Sequence, residues 1–170
     1  MTVEIRALQR SDDRQAFRSG DETLDLYFHR YAGQNQFRHH IGVTYVAVEA
    51  QQILGFVTVS PGSLDADDLP TGRPAPPYPV PILRVARLAV DESARGHGLG
   101  RALLRFAIEL AERMMAEFGC VGPVVDARSG AEEFYQRYGF VPLEVLEGET
   151  AQRPHPTPMF LALGSVPPRR

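Results

Sequence analysis

The run Arg87-Leu88-Ala89-Val90-Asp91-Glu92-Ser93-Ala94-Arg95-Gly96-His97-Gly98-Leu99-Gly100-Arg101 carries more chemistry than any other stretch of this chain. An apolar strand pattern ends in a short turn, glycines alternate, and a helix pattern begins. Glycine lets a backbone bend tightly and approach a ligand with no Cβ in the way. A helix N-terminus adds unpaired N–H donors and the positive end of its dipole. Together they make a cradle for a pyrophosphate, unless the turn serves only strand-to-helix packing. Arg95 and Arg101 either bind phosphate oxygens in pairs or are solvated charges. His97, inside the turn, either touches a phosphate or faces solvent.

Spacing narrows the ligand. A dinucleotide fingerprint needs G-x-G-x-x-G, and Arg101 stands where its third glycine belongs. A P-loop needs a lysine, and the chain has none. Arg95-x-x-Gly98-x-Gly100 after Leu88-Ala89-Val90 resembles the acetyl-coenzyme A signature of the GNAT superfamily of N-acetyltransferases. A second segment, Phe134-Tyr135-Gln136-Arg137-Tyr138-Gly139-Phe140, is similar to the family's F-Y-x-R-x-G-F pattern.

That resemblance implies a set of roles. The backbone N–H groups of Arg95, Gly96, His97, Gly98, Leu99, Gly100 and Arg101 would hold the diphosphate. Leu88, Ala89 and Val90 would pair their backbone with pantetheine, and one of their N–H groups would polarise the thioester carbonyl. Tyr135 would give the leaving thiolate its proton as general acid. Phe134 and Tyr138 lie four apart and read as core, with Phe134 also beside the cofactor. Tyr135 lies about 100° round the helix and would face the cleft; the alternative is a packed aromatic bonded to a carbonyl. Many relatives carry an Asn before this helix; Asp126-Ala127-Arg128-Ser129-Gly130 has none, and Ser129 stands in. Arg84 and Arg87 occupy positions where some relatives carry a glutamate base.

One branch matches further. Phe17-x-x-Gly-Asp-x-x-Leu-Asp-x-Tyr-Phe, Thr44-Tyr45-Val46-Ala47-Val48, Ile53-to-Ser60 and Pro79-Val80-Pro81-Ile82 resemble the GNAT toxins of toxin–antitoxin pairs, which acetylate the α-amine of aminoacyl-tRNA. By that resemblance Arg84 and Arg87 would line the acceptor side. A ribbon–helix–helix antitoxin and a homodimer are the implied partners. The alternatives are a small-molecule amine or a protein N-terminus as acceptor, or a non-catalytic coenzyme A-binding module.

Composition sets bounds. The net charge of −3 gives no global case for nucleic acid, and such toxins are usually basic. Arginines cluster locally instead, at Arg6, Arg10, Arg14 and Arg18, and at Arg30 and Arg38. A length of 170 residues suits a single domain over 1–170. No apolar run spans a membrane. No leader is evident, and the lone Cys120 fits a reducing cytoplasm and a core position. His39-His40 has no partner group at metal spacing, so no metal is expected.

The elements that must position these residues follow from periodicity. Strands are expected at Val3–Ala7, Thr44–Glu49, Ile53–Ser60, Ile82–Asp91, Val121–Asp126, Phe140–Leu146 and Pro158–Leu163. A helix runs from Gly20 to about Asn35 with Leu24, Tyr27, Phe28 and Tyr31 on its apolar face. The longest helix, Gly100–Phe118, buries Leu103, Phe106, Ala107, Leu110, Met114 and Phe118. Gly130-Ala131 opens a short helix that Gly139 ends. Seven of the 14 prolines fall in 61–81, which reads as a long irregular loop. Residues 165–170 read as a frayed tail. The sum is a mixed α/β, or α+β, chain. The family resemblance implies a twisted mixed sheet of six to seven strands, helices on both faces, and a splay between the fourth and fifth strands.

Overall fold

The computed structural model describes residues 2–70, 76–143 and 156–165. Its strands are β1 Glu4–Ala7, β2 Val43–Glu49, β3 Gln52–Leu64, β4 Val80–Val90, β5 Pro123–Ala127, β6 Val141–Pro142 and β7 Thr157–Phe160. They form one mixed sheet in the order β1-β2-β3-β4-β5-β7-β6. The pairs β1/β2, β2/β3, β5/β7 and β6/β7 are antiparallel, and β4 and β5 are parallel neighbours. The helices are α1 Glu22–Leu26, α2 Leu99–Glu117 and α3 Glu132–Gln136. The chain gathers into two compact units, Met1–Ser60 with Val85–Ala107 and Pro61–Arg84 with Ile108–Arg170.

In the first unit, Asp21 caps α1 by accepting from the N–H groups of Thr23 and Leu24 at 2.9 and 3.1 Å, which satisfies two orphan donors. The helix then continues through wider π turns at Tyr27–Tyr31 and Gln34–His39 and stops at left-handed His40. It therefore outruns Asn35. The wider turns also break the 3.6-residue register, so Tyr31 is 42 % exposed and not on the apolar face. Leu24, Tyr27 and Phe28 do pack inward, in a cluster with Phe17, Phe56 and Ala89. Phe28 stacks on Phe56 at 4.4 Å and Phe17 meets both rings edge-on. The β2–β3 hairpin turns at Ala50 and Gln51, both at positive φ.

In α2 the buried stripe is Leu99, Leu103, Leu104, Ala107, Ala111 and Met114. Phe106 and Leu110 are only half-buried, and Phe118 is 75 % exposed. Phe118 lies past the last helical residue, where the stripe no longer constrains it.

The second unit is built on β5, whose residues are nearly all buried. Leu64, Ile82, Val124, Leu143 and Phe160 form its core cluster. Both long strands reach into the expected proline loop, β3 as far as Leu64 and β4 from Val80. Pro61 and Pro81 thus sit inside strands, near their ends, where a missing N–H is tolerated. A single 3₁₀ turn, Ala66–Asp68, follows β3. The strand expected at Phe140–Leu146 is the two-residue β6; residues 144–146 lie outside the described residues, as do 166–170 of the expected tail.

Candidate active site

The turn after β4 is set by Asp91. Its main-chain N–H donates to the Leu54 carbonyl at 2.8 Å, ending the pairing with β3. Its carboxylate accepts from the Ser93 N–H at 3.0 Å, the Ser93 hydroxyl at 2.6 Å and the Arg18 N–H at 2.8 Å. Burial pushes the Asp91 carboxyl up, but these bonds outweigh it and leave the group below the usual carboxylate range. Glu92 N–H donates to the Arg18 carbonyl, and the Arg95 guanidinium to the Ser19 carbonyl. Ser19 is itself fixed by buried Asp25, which accepts from its N–H and hydroxyl at 3.0 and 2.7 Å. The segment 18–20 thereby laces the turn in place, and Arg95 is spent on that lacing.

Beyond Arg95 the turn opens. Gly96 and Gly98 take φ of +81° and +78°, and a Cβ built on either would meet nothing within 4 Å. The backbone demands glycine there, yet the protein leaves the space above it empty. Gly98 begins α2, its carbonyl accepting from Ala102 N–H at 3.0 Å. The next N–H groups, of Leu99, Gly100 and Arg101, have no helical carbonyl to bind. No acidic residue lies in this first turn, whereas α1 and α3 each carry two. His97 and Arg101 are exposed beside it. Below, a Cβ on Gly55 would sit 2.9 Å from Leu103 Cδ1 and 3.1 Å from the Ala89 carbonyl oxygen. That glycine lets α2 pack down on β3 and the end of β4. Of the strand residues, Ala89 is buried while Leu88 and Val90 are half-buried. An open, exposed helix head with no acid in its first turn fits a diphosphate.

The second unit carries Tyr135 on α3. Its ring is 7 % exposed and meets Phe134 at 5.1 Å and Phe140 at 5.8 Å. Phe134 and Tyr138, expected as core, are only half-buried, so the helix face is rotated relative to the expectation. No described group bonds the Tyr135 hydroxyl, and no buried side-chain polar atom lacks a partner among the described residues. Burial, with a smaller push from the Asp126 charge, raises the Tyr135 pKa to about 12. It is a fully loaded proton donor at neutral pH. Ser129 is exposed in the turn before α3.

The Acetyltransferase (GNAT) domain family matches residues 40–142, which takes in the β2–β3 hairpin, the glycine turn and Tyr135. This chain belongs to the GNAT acetyltransferases. It is an acetyl-coenzyme A-dependent N-acetyltransferase by that membership. A tRNA-acetylating toxin of Mycobacterium tuberculosis (strain ATCC 25618 / H37Rv) is 32 % identical over 137 residues, covering 79 % of this chain and 82 % of the relative. The structure of AtaT complexed with acetyl-methionyl-tRNAfMet superposes with a TM-score of 0.83 at 26 % identity, covering 96 % of each chain. That of AtaTR bound with AcCoA gives 0.77 at 27 %, covering 96 % of this chain and 95 % of the other.

For a GNAT enzyme the remaining expected residues divide unevenly. Arg84 pairs with Asp126 on β5 at 3.0 Å, while Arg87 lies over the Tyr27 ring of the π turns at 3.7 Å. The two arginines thus serve different neighbours. His39 and His40 are exposed at the end of the π turns, and no group of metal-ligating side chains occurs among the described residues. Cys120 is buried, and burial pushes its thiol up, as for a core residue. No described helix is long and apolar enough to cross a membrane. Sequence reasoning missed Asp91, Ser19, Asp25 and Gly55. The Asp91-x-Ser93 spacing, a helix-cap pattern, was the available signal for the first.

Proposed function

We propose that this chain acetylates the α-amine of aminoacyl-tRNA and is the toxin of a toxin–antitoxin pair. The observation that carries the reading is the open glycine turn at the head of α2, in a chain 32 % identical to a tRNA-acetylating toxin. Acetyl-coenzyme A supplies the acyl group as a thioester, whose carbonyl carbon accepts an amine. The N–H groups from Arg95 to Arg101 hold the diphosphate. The backbone of Leu88, Ala89 and Val90 holds the pantetheine arm and orients one N–H toward the thioester oxygen. Ser129 and Phe134 also contact the cofactor. As the new C–N bond replaces the C–S bond, Tyr135 delivers a proton to the departing sulfur, and the proton shed by the amine nitrogen restores the phenol. Its pKa near 12 lies above a free thiol's, about 8.5, but the enclosure that raises the phenol disfavours the thiolate too.

The ester of an aminoacyl-tRNA lowers the pKa of its α-amine, so a neutral nucleophile arrives without a strong base. The chain acts as a single GNAT domain over 1–170, in the cytoplasm, as a homodimer, with a ribbon–helix–helix antitoxin as partner. The net charge of −3 favours a second reading, a small amine or a protein N-terminus as acceptor. Transfer of labelled acetyl to total charged tRNA, followed by mass spectrometry of the aminoacyl end, separates them. Label on RNA is expected; label only on a small amine or peptide would leave a GNAT enzyme of a different acceptor class.

A further inference from the structure

Arg87 has a setting that Arg6, Arg14, Arg18, Arg84 and Arg95 lack. Arg6 closes on Asp12 at 2.8 Å and Arg84 on Asp126 at 3.0 Å. Arg14 donates to the Phe28 carbonyl, Arg18 to those of Gln15 and Phe17, and Arg95 to that of Ser19. Arg87 is half-buried, yet among the described residues it makes no hydrogen bond and no ion pair. Its one partner is the face of Tyr27, with the guanidinium carbon 3.7 Å from the ring centroid. Stacking occupies the flat of a guanidinium and leaves the N–H donors at its rim free.

Tyr27 cannot drift. It is 6 % exposed and packed in the cluster with Leu24, Phe17 and Phe28. Arg87 is therefore pre-oriented, partly desolvated and unpaired, a state that an anion would complete. A planar fork of donors matches two oxygens of a phosphate. It also directly precedes Leu88, Ala89 and Val90, at a strand rise of about 3.3 Å per residue. An anion bound there lies close to an amine attacking at that strand.

We infer that Arg87, held flat on Tyr27, clamps the backbone phosphate nearest the aminoacyl end of the acceptor, and that Tyr27 is its positioning residue. The inference rests on the aminoacyl-tRNA reading above. It gives Arg84 no part in the contact, because the Arg84 fork is spent on Asp126.

The test compares Arg87→Gln, Tyr27→Phe and Tyr27→Leu with the unaltered enzyme on two acceptors. One is charged tRNA. The other is an amino acid methyl ester, which carries the same α-amine beside an ester but no phosphate. Arg87→Gln should raise KM for charged tRNA about 10- to 100-fold, the loss of a charge-assisted pair of bonds. Its plot of log kcat/KM against log salt should flatten by about one unit. Its kcat, its affinity for acetyl-coenzyme A and its kinetics on the methyl ester should stay within about twofold, as phosphate contacts position the acceptor and do no chemistry. Tyr27→Phe keeps the ring face and should behave as the unaltered enzyme. Tyr27→Leu keeps apolar bulk only and should follow Arg87→Gln.

An unchanged KM and salt slope for Arg87→Gln would overturn the inference. Equal losses on both acceptors would overturn it too, because they would make Arg87 a structural residue. Equal behaviour of the two Tyr27 variants would remove the positioning role. If the unaltered enzyme acetylates the methyl ester but not charged tRNA, the aminoacyl-tRNA reading itself is wrong and the clamp falls with it.

Discussion

Replacing Gly98 by alanine separates what the fold requires from what the ligand requires. At φ of +78° an L-residue is strained, at roughly 1–2 kcal/mol. The added Cβ costs nothing further in packing against the described residues, none of which has an atom within 4 Å of it. Alanine also stiffens the unfolded chain, which returns about 0.4–1 kcal/mol. The net loss is then about 1 kcal/mol, or a fall in Tm of about 2–4 °C for a chain of this size. The effect on binding should be far larger. The methyl group would project into the cradle and hold a phosphate away from the N–H donors. Each charge-assisted bond lost weakens binding by about 1.5–3 kcal/mol, so the affinity for coenzyme A should fall about 10- to 150-fold. Gly55→Ala is the counterpart. There the Cβ falls 2.9 Å from Leu103 and 3.1 Å from the Ala89 carbonyl, so overpacking should cost about 1–3 kcal/mol and stability should fall first. Calorimetric titration with coenzyme A, paired with thermal melts, reads both quantities. Gly98→Ala protein that is folded and binds as tightly as the unaltered chain would refute the cradle.

Tyr135→Phe should lower kcat by about 10²–10⁴ while coenzyme A affinity holds; an unchanged rate on the true acceptor would make the phenol structural. Because Tyr135 titrates at about 12 in the folded chain against about 10 unfolded, its neutral form stabilises the fold below pH 10. That contribution should be lost as pH rises from 10 to 12, and Tyr135→Phe should flatten this part of an alkaline stability profile. Asp91 has the opposite sign: its lowered carboxyl stabilises the fold above the usual carboxylate range, and the contribution is lost on acidification through its folded pKa. Asp91→Asn should therefore weaken the acid dependence of the melting temperature and loosen the turn at 91–95, measurable by hydrogen exchange at the Arg18 and Ser93 amides. Gly122→Ala should fail to accumulate as folded protein, since its Cβ would overlap the Leu161 carbonyl oxygen; a normal melt would contradict the packing of β5 described above.

Where a pattern is local, the sequence reveals it. The β-branched and aromatic runs of β2 and β3, the acid-rich start of α1 and the strand–glycine–helix order are all set by neighbours in the chain, and their positions hold to within a few residues. The misses share a cause. Tyr31 is displaced by π turns, which arise from packing and leave no 3.6-residue signature. Proline content hid the far ends of β3 and β4, because a strand end tolerates a residue that a strand centre does not. At the site, the glycines were legible because their φ angles demand glycine. Gly55 was not, because its requirement comes from Leu103, nearly fifty residues away. Arg84 and Arg87 look alike in the sequence; only Asp126 and Tyr27, distant in the chain, distinguish a spent fork from a free one.

The same distinction bears on how a chain of net charge −3 could hold RNA. Net charge counts every carboxylate equally, but a ligand feels those that face it. Asp12 is closed by two nitrogens of Arg6 and the Gln9 N–H. Asp25 is occupied by Ser19, Asp91 by Ser93 and the Arg18 N–H, and Asp126 by Arg84. These acids are spent on loops and strands. Among the described residues Arg87 pairs with no carboxylate, and the first turn of α2 carries none. On this view much of the acidic total reflects how the scaffold is fastened, and the proposed coenzyme cradle takes its local charge from a helix head with no acid in its first turn. Adding one acid there should then matter more than changing the total. Arg101→Glu should weaken coenzyme A binding, by about 10-fold or more at low salt, with the effect shrinking as salt screens it. Glu112→Arg, on the exposed flank of α2, shifts the total charge by the same amount in the opposite direction; it lies about 16 Å along the helix from Arg101, so at physiological salt, where the Debye length is about 8 Å, it should leave coenzyme A affinity within about twofold. Equal and opposite shifts from the two variants would show that net charge, and not local placement, governs binding.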